Sequence, residues 1–351
     1  MVTWKQTLIS PLTSIREAVE ALNRSALQIC LVTNEDGKLI GTLTDGDIRR
    51  AILDGIAMNS VVSDVMNDTP VAVPMDTDES KMRGLMRDRR LHQLPILDPE
   101  GRVVGLVEMA SLIQEVKLNE NWVVLMAGGK GTRLRPLTDG KPKPLLEVGN
   151  KPLLETILKN FVQQKFQQFY ISVNYKSEMI KTYFGNGSKW GIEIRYLEEK
   201  SSLGTAGGLR LIEERPKEPL IVMNGDLLTQ VNFNQLLSFH EQHQSQATMC
   251  VREYEMQVPF GVVSVKDNQI SKVDEKPTHR FFVNAGIYVL DPSLIEIIPQ
   301  DGPFDMPMLF DRIIGAGLNT SVFPIHEYWM DVGRLDDYRR ANREFDEHFE
   351  K

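Results

Sequence analysis

A chain of 351 residues, 42% hydrophobic and 25% charged, has ordinary globular composition and is long enough for two or three domains. Its formal net charge of −8 argues against a broad nucleic-acid or anionic-membrane surface, so any phosphate site must be a local basic pocket. The two cysteines, Cys30 and Cys250, are too few for a disulfide framework and lack metal-ligand spacing; both lie in apolar strand-like segments and are expected as buried free thiols. The N-terminus has no signal-like apolar core and no run reaches membrane-span length, which predicts a soluble, cytoplasmic protein.

The first third of the chain repeats itself. Leu31-Val32 precedes Glu35-Asp36-Gly37-Lys38 and then Leu39-Ile40-Gly41-Thr42-Leu43. Pro95-Ile96-Leu97 precedes Pro99-Glu100-Gly101-Arg102 and then Val103-Val104-Gly105-Leu106-Val107, an offset of 64 residues between Gly41 and Gly105. A helical stretch leads each copy, Ser14–Arg24 and Glu79–Arg90. Residues 1–116 therefore resemble a pair of CBS modules, a regulatory or oligomerisation unit whose relatives often bind adenosine nucleotides. The family's ligand pattern stands once, as Gly41, Thr44 and Asp47. By that resemblance Asp47 would hold ribose hydroxyls and Thr44 a phosphate. The second copy has Glu108 and Ser111 at those places, and a carboxylate at the phosphate position would repel the ligand. A pair used only for association stays open, and a homo-oligomer is expected.

Polar residues 117–121 read as a linker, and residues 122–351 as a second unit. The apolar run Trp122–Met126 predicts a buried strand. Behind it come Ala127, Gly128, Gly129 and Gly131, then Thr132, Arg133 and Arg135, with Lys143 between two prolines. Glycines directly after a strand let backbone N–H groups approach an anion, and Arg133 and Lys143 add positive charge. This is the chemistry of a site that grips a nucleoside triphosphate. Leu134 stands where the dinucleotide fingerprint would need a glycine, and no G-x-x-x-x-G-K-[ST] loop is present.

Downstream, helical and strand patterns alternate: helix Leu153–Gln164, strand Phe169–Val173, helix Ser177–Phe184, strand Ile192–Leu197, helix Thr205–Glu214, strand Leu220–Met223, helix Phe233–Gln244, strand Thr248–Val251. That order predicts an α/β fold built on an open, mainly parallel sheet, with ligands at the carboxyl ends of its strands. From Phe260 the pattern turns to strand pairs (Gly261–Val265, Ile270–Val273, Phe282–Leu290), read as a β-rich half for a second substrate. Leu335–Lys351 reads as a charged C-terminal helix. His240 and His243, three apart on a polar helix, read as a solvated face rather than a metal pair.

The run G-G-x-G-T-R-L-x-P-L-T with P-K-P-L resembles the sugar-1-phosphate nucleotidylyltransferases, and the later order L-G-T-A-G, G-D, E-K-P, N-A-G, D-V-G agrees with it. The resemblance implies transfer of a nucleoside monophosphate from a triphosphate to a sugar 1-phosphate, with pyrophosphate released. It implies a Rossmann-like fold for the second unit and Mg²⁺ on Asp226 and Asp331. Arg133 and Lys143 would hold the triphosphate; Gly204 and Thr205 the base; Gly207, Glu275, Lys276 and Asn284 the sugar phosphate. Relatives that use guanine tend to carry Glu, rather than Gln, five residues before Gly204, and Glu199 stands there. A carboxylate can accept both adjacent N–H groups of guanine, a charge-assisted bidentate pair. GTP is therefore the expected nucleotide, and the layout is similar to guanylyltransferases of bacterial surface-sugar pathways, those using glucosamine 1-phosphate above all. Mannose- or heptose-1-phosphate enzymes, a uridylyl or thymidylyl transferase, and a non-catalytic regulatory subunit are the alternatives.

Overall fold

The computed structural model describes residues 4–25, 27–112 and 118–349. The chain divides into two compact units, Met1–Val116 and Lys117–Lys351.

The first unit displays its repeat in hydrogen bonds. Leu8–Ile9 pairs parallel with Ile29–Thr33, which pairs antiparallel with Leu39–Thr44. Val73–Pro74, Gln93–Leu97 and Val103–Glu108 repeat that arrangement. Even the register irregularity recurs, at Val32/Thr33 and at Ile96/Leu97. The two copies meet reciprocally: Leu39 N–H donates to the Gly101 carbonyl (3.0 Å) and Val103 N–H to the Gly37 carbonyl (3.2 Å), a pseudo-two-fold pairing. Cys30 is fully buried in this unit's core.

Thr44 and Asp47 have a structural task. Thr44 caps the helix Asp45–Leu53 in a full capping box. Asp47 Oδ2 accepts from Thr44 N (2.8 Å) and Thr44 Oγ1 (2.6 Å), and Arg50 pairs with Oδ1. The two residues that resemble a ribose and phosphate grip thus also start a helix. In the second copy Ser111 Oγ donates to the Glu108 carbonyl instead (2.6 Å).

In the second unit the strands of three or more residues and the helices of eight or more are β1 (Asn119–Met126), α1 (Leu153–Gln163), β2 (Phe166–Val173), α2 (Ser177–Phe184), β3 (Glu193–Glu198), β4 (Leu220–Asn224), β5 (Leu227–Thr229), α3 (Phe233–Gln242), β6 (Ala247–Gln257), β7 (Val262–Lys266), β8 (Gln269–Asp274), β9 (Thr278–Leu290), α4 (Met306–Gly315), β10 (Thr320–Ile325), β11 (Trp329–Asp331) and α5 (Leu335–Phe349). The main sheet has the order β3-β2-β1-β4-β9-β6-β10, and only β9 runs antiparallel to its neighbours. The expected open, mainly parallel α/β sheet is borne out. Its strands bury both faces: Val123 and Leu125 join one hydrophobic cluster, Trp122 and Val124 the other.

Four readings need correction. The stretch taken as linker is partly strand: Asn119 opens β1, with its N–H on the Lys165 carbonyl (3.1 Å), while Asn121 Nδ2 reaches the Pro219 carbonyl (2.8 Å). Polar side chains disguised a strand whose residues bond to carbonyls far along the chain, Asn119 to Gln164 and Asn121 to Pro219; Lys117 itself lies outside the described residues. The helix expected over Thr205–Glu214 shrinks to one turn, Gly204–Gly207, and a 3₁₀ turn, Gly208–Leu211, because three glycines in five residues are poor helix formers. The late strands do not form a separate half, since β9 enters the main sheet between β4 and β6 and only β7–β8 stand apart as a hairpin. His240 is 4% exposed, its Nδ1 2.8 Å from Thr248 Oγ1, whereas His243 is exposed. Helix α3 turns its His240 face onto the sheet, which a short polar helix conceals in sequence. Residues 350–351 of the expected C-terminal helix lie outside the described residues. Among the described residues no helix is long and apolar enough to cross a membrane.

Candidate active site

Strands β1 and β4 are parallel neighbours, in register from Ile221↔Val123 to Asn224↔Met126. Their carboxyl ends therefore open side by side, at the point where strand order reverses, which is where open α/β sheets bind ligands. Gly225 N–H donates to the Met126 carbonyl (2.9 Å), and a Cβ at Gly225 would stand 2.8 Å from that oxygen. Glycine is required there for the two loops to touch.

The loop after β1 folds back on itself. Gly131 is left-handed (φ +62°), Thr138 Oγ1 donates to its carbonyl (2.9 Å), and a Cβ on it would meet Thr138 and Lys143 at 2.9 and 3.0 Å. That return presents Lys143, in the 3₁₀ turn Lys143–Leu145, to the crevice. Its Nζ lies 2.5 Å from Asp226 Oδ2, with side-chain exposures of 10% and 28%. Asp226 follows β4 after Gly225 and immediately precedes β5. The short ladder of β5 with β11 sets Leu227 opposite Asp331, and Val332 N–H donates to the Asp226 carbonyl (3.0 Å). Two carboxylates far apart in sequence thus share one place. Burial raises the Asp331 carboxyl pKa, the Asp226 charge raises it further, and Lys143 and Arg133 oppose the rise. Asp331 stays exposed at the mouth of the crevice. Two carboxylates crowding their charge form an oxygen donor set that suits a hard divalent cation. Arg133 and Thr132 are exposed on the loop, and Gly129 has open space beside it.

Glu199 is not a solvated loop charge. Ser172 Oγ donates to its Oε1 (2.5 Å), Leu203 N–H to its Oε2 (3.0 Å), and Asn174 Nδ2 to its carbonyl (2.7 Å). A Cβ at Gly128 would stand 3.1 Å from Oε1, so Glu199 lies directly behind the glycine loop that follows β1. Ala127 N–H donates to the Ser172 carbonyl (2.9 Å). The turn Gly204–Gly207 is clamped on the start of α4: Ala206 and Gly207 N–H share the Phe304 carbonyl, and Thr205 N–H donates to Asp305 Oδ1 (2.9 Å). Gly204 (φ +81°) is needed for this packing, since a Cβ would meet Asp305 Oδ1 and the Phe304 carbonyl at 2.7 Å.

Asn284 Oδ1 accepts from Gly286 N–H (2.9 Å), and a Cβ on Gly286 would stand 2.7 Å from the amide of Asn224, at the end of β4. Trp329 Nε1 donates to the Ala285 carbonyl (2.9 Å), tying this turn to β11. Glu275 and Lys276 are exposed in the turn joining the β7–β8 hairpin to β9, Glu275 beside Gly261. The structure groups them with that arm rather than with the carboxylate pair. Ser172, Asn174 and Asp305 escaped the sequence reading. The one signal for Ser172 was a hydroxyl inside the apolar run Tyr170–Val173; Asp305, a hundred residues from Thr205, had none.

The family model "Nucleotidyl transferase" matches residues 122–348, and the CBS domain model matches residues 6–54 and 62–118. A mannose-1-phosphate guanyltransferase of Yarrowia lipolytica is 35% identical over 224 residues, 61% of either chain. A UTP–glucose-1-phosphate uridylyltransferase of Synechocystis is 31% identical over 240 residues, 63% of this chain and 62% of that one. The chain thus spans about three fifths of the length of these curated relatives. The crystal structure of HddC from Yersinia pseudotuberculosis shares the fold at 24% identity and a TM-score of 0.50, covering 64% of this chain and 99% of that one. With a family model spanning residues 122–348, the chain belongs to the nucleotidyl transferase family and carries a CBS pair ahead of its nucleotidyl transferase unit.

Proposed function

We propose that the chain transfers a nucleoside monophosphate, GMP by preference, from its triphosphate to a sugar 1-phosphate, releasing pyrophosphate. The observation that carries this reading is the meeting of Lys143, Asp226 and Asp331, beside the Arg133 loop, at the carboxyl ends of β1 and β4. A sugar phosphate oxygen is already an anionic nucleophile, so the site needs alignment and charge neutralisation rather than a general base. The oxygen bonds to the α-phosphorus while the bond to the β-phosphate oxygen breaks, and pyrophosphate leaves. Lys143 and Arg133 supply positive charge to the triphosphate and to the departing pyrophosphate. Asp226 and Asp331 would hold Mg²⁺, which supplies charge neutralisation at the reacting phosphate when bound. Glu199 accepts the paired N–H groups of guanine, and Asn284, beside the end of β4, faces the sugar side.

By resemblance the sugar is glucosamine 1-phosphate, in the synthesis of bacterial surface sugars of the nonulosonic acid type. Adenosine nucleotide binding at Thr44 and Asp47 and self-association of the CBS pair belong to the same reading. The test is pyrophosphate release with Mg²⁺ and with chelator, across GTP, UTP, dTTP, CTP and ATP and glucosamine-, glucose- and mannose-1-phosphate. Metal-dependent release with GTP supports the reading. Release with UTP or dTTP alone removes the guanine assignment, and silence throughout, repeated with AMP and ATP, points to a regulatory subunit.

A further inference from the structure

Glu199 is useful as a base selector only if its carboxylate holds one plane. Four observations bear on how that plane is set. Ser172 is fully buried at the end of β2, between the core residues Ile171 and Val173. A carboxylate only accepts, so the Ser172 hydroxyl donates to Oε1 (2.5 Å). Leu203 N–H donates to Oε2 (3.0 Å), so each oxygen is held from the protein side by one donor. On the other side, Cβ atoms at Gly128 and Gly208 would stand 3.1 and 3.3 Å from Oε1, so two glycines keep that flank clear.

We infer that Ser172 is a positioning residue that sets nucleobase selectivity by fixing the plane of the Glu199 carboxylate. The inference rests on the reading of Glu199 as the base contact. Each carboxylate oxygen has two lone pairs. One on each is taken, by Ser172 and by Leu203, and the second on each stays available to two N–H donors side by side. That pair of donors is what guanine presents and uracil does not. Leu203 alone would leave the carboxylate free to turn about its last bond. A second link runs through the same residue: the Ser172 carbonyl accepts Ala127 N–H (2.9 Å), where the phosphate loop begins. One residue thus holds the base contact through its side chain and the root of the loop through its backbone. A hydroxyl buried in an apolar strand needs a hydrogen-bond partner, and the Glu199 carboxylate supplies it.

The experiment is Ser172→Ala, which removes one oxygen and leaves the strand's backbone bonds in place. Pyrophosphate release with GTP and with UTP gives the ratio of kcat/KM values, and Glu199→Gln is measured alongside. For Ser172→Ala the ratio falls roughly tenfold through a higher KM for GTP, with kcat and the sugar-phosphate KM unchanged, as loss of a hydrogen bond to a charged group would give. Ser172→Cys, of similar shape and with a weak donor, falls between, and it replaces the alanine variant if that one does not fold. A drop in kcat shared by both nucleotides, or an unchanged ratio while Glu199→Gln collapses it, overturns the role of Ser172. An unchanged ratio in Glu199→Gln overturns the base contact itself.

Discussion

Replacing Asp226 by asparagine tests the centre of the site. Lys143 Nζ and Asp226 Oδ2 are 2.5 Å apart, with side chains 10% and 28% exposed. Breaking a fully buried pair costs about 3–5 kcal/mol, and an exposed one about 0–1. This pair lies between the two, and an amide oxygen still accepts from the ammonium while Asp331 remains nearby. The expected loss is about 1–2 kcal/mol, a fall in melting temperature of roughly 2–8 °C for a unit of this size. Turnover suffers far more. The amide is a poor ligand for a hard cation, and loss of one preorganised charge at the reacting phosphate costs on the order of 10²–10³ in rate. Pyrophosphate release and thermal denaturation of the full chain, for Asp226→Asn, Lys143→Met and the double variant, separate the two effects. The stability losses are expected to be less than additive, because removing both charges leaves no unpaired ammonium. Turnover within a few-fold of wild type would refute the metal assignment, and strictly additive stability losses would refute the pair.

Three further outcomes are expected. Burial pushes His240 down to about 4 from 6.5, so the native state stays neutral where the unfolded chain gains a proton. Its contribution to stability is intact above about pH 6.5 and is lost as pH falls toward 4, roughly 3 kcal/mol in all; denaturant midpoints of wild type and His240→Leu should converge across that window, and parallel curves would contradict it. Gly131→Ala forces a side chain into the left-handed region and against Thr138 and Lys143, costing about 1–2 kcal/mol and raising the KM for triphosphate, read by denaturation and steady-state kinetics. Asp305→Ala removes the acceptor of Thr205 N–H, and a stability loss of about 1 kcal/mol with a higher nucleotide KM is expected, whereas unchanged kinetics would mean the turn holds without it.

Much of this protein is written locally. The glycine loop, the alternation of strand and helix and the 64-residue repeat follow from composition and period, because each depends on residues close in the chain. Ser177–Phe184 was legible as a helix to its ends, and the apolar strands Trp122–Met126 and Leu220–Met223 within three residues or fewer. Placement was not. Asp226 and Asp331 meet only because β5 pairs with β11, Thr205 finds Asp305 across a hundred residues, and β9 enters the main sheet rather than founding a second one. Thr44 and Asp47, by contrast, make a local contact, a capping box closed within one helical turn. Residue types, their order and their local period are properties of the chain before it folds. Which of them share a few ångströms was decided by strand pairing and by loop contacts over long separations, and those interactions depend on the whole folded sheet rather than on any one segment.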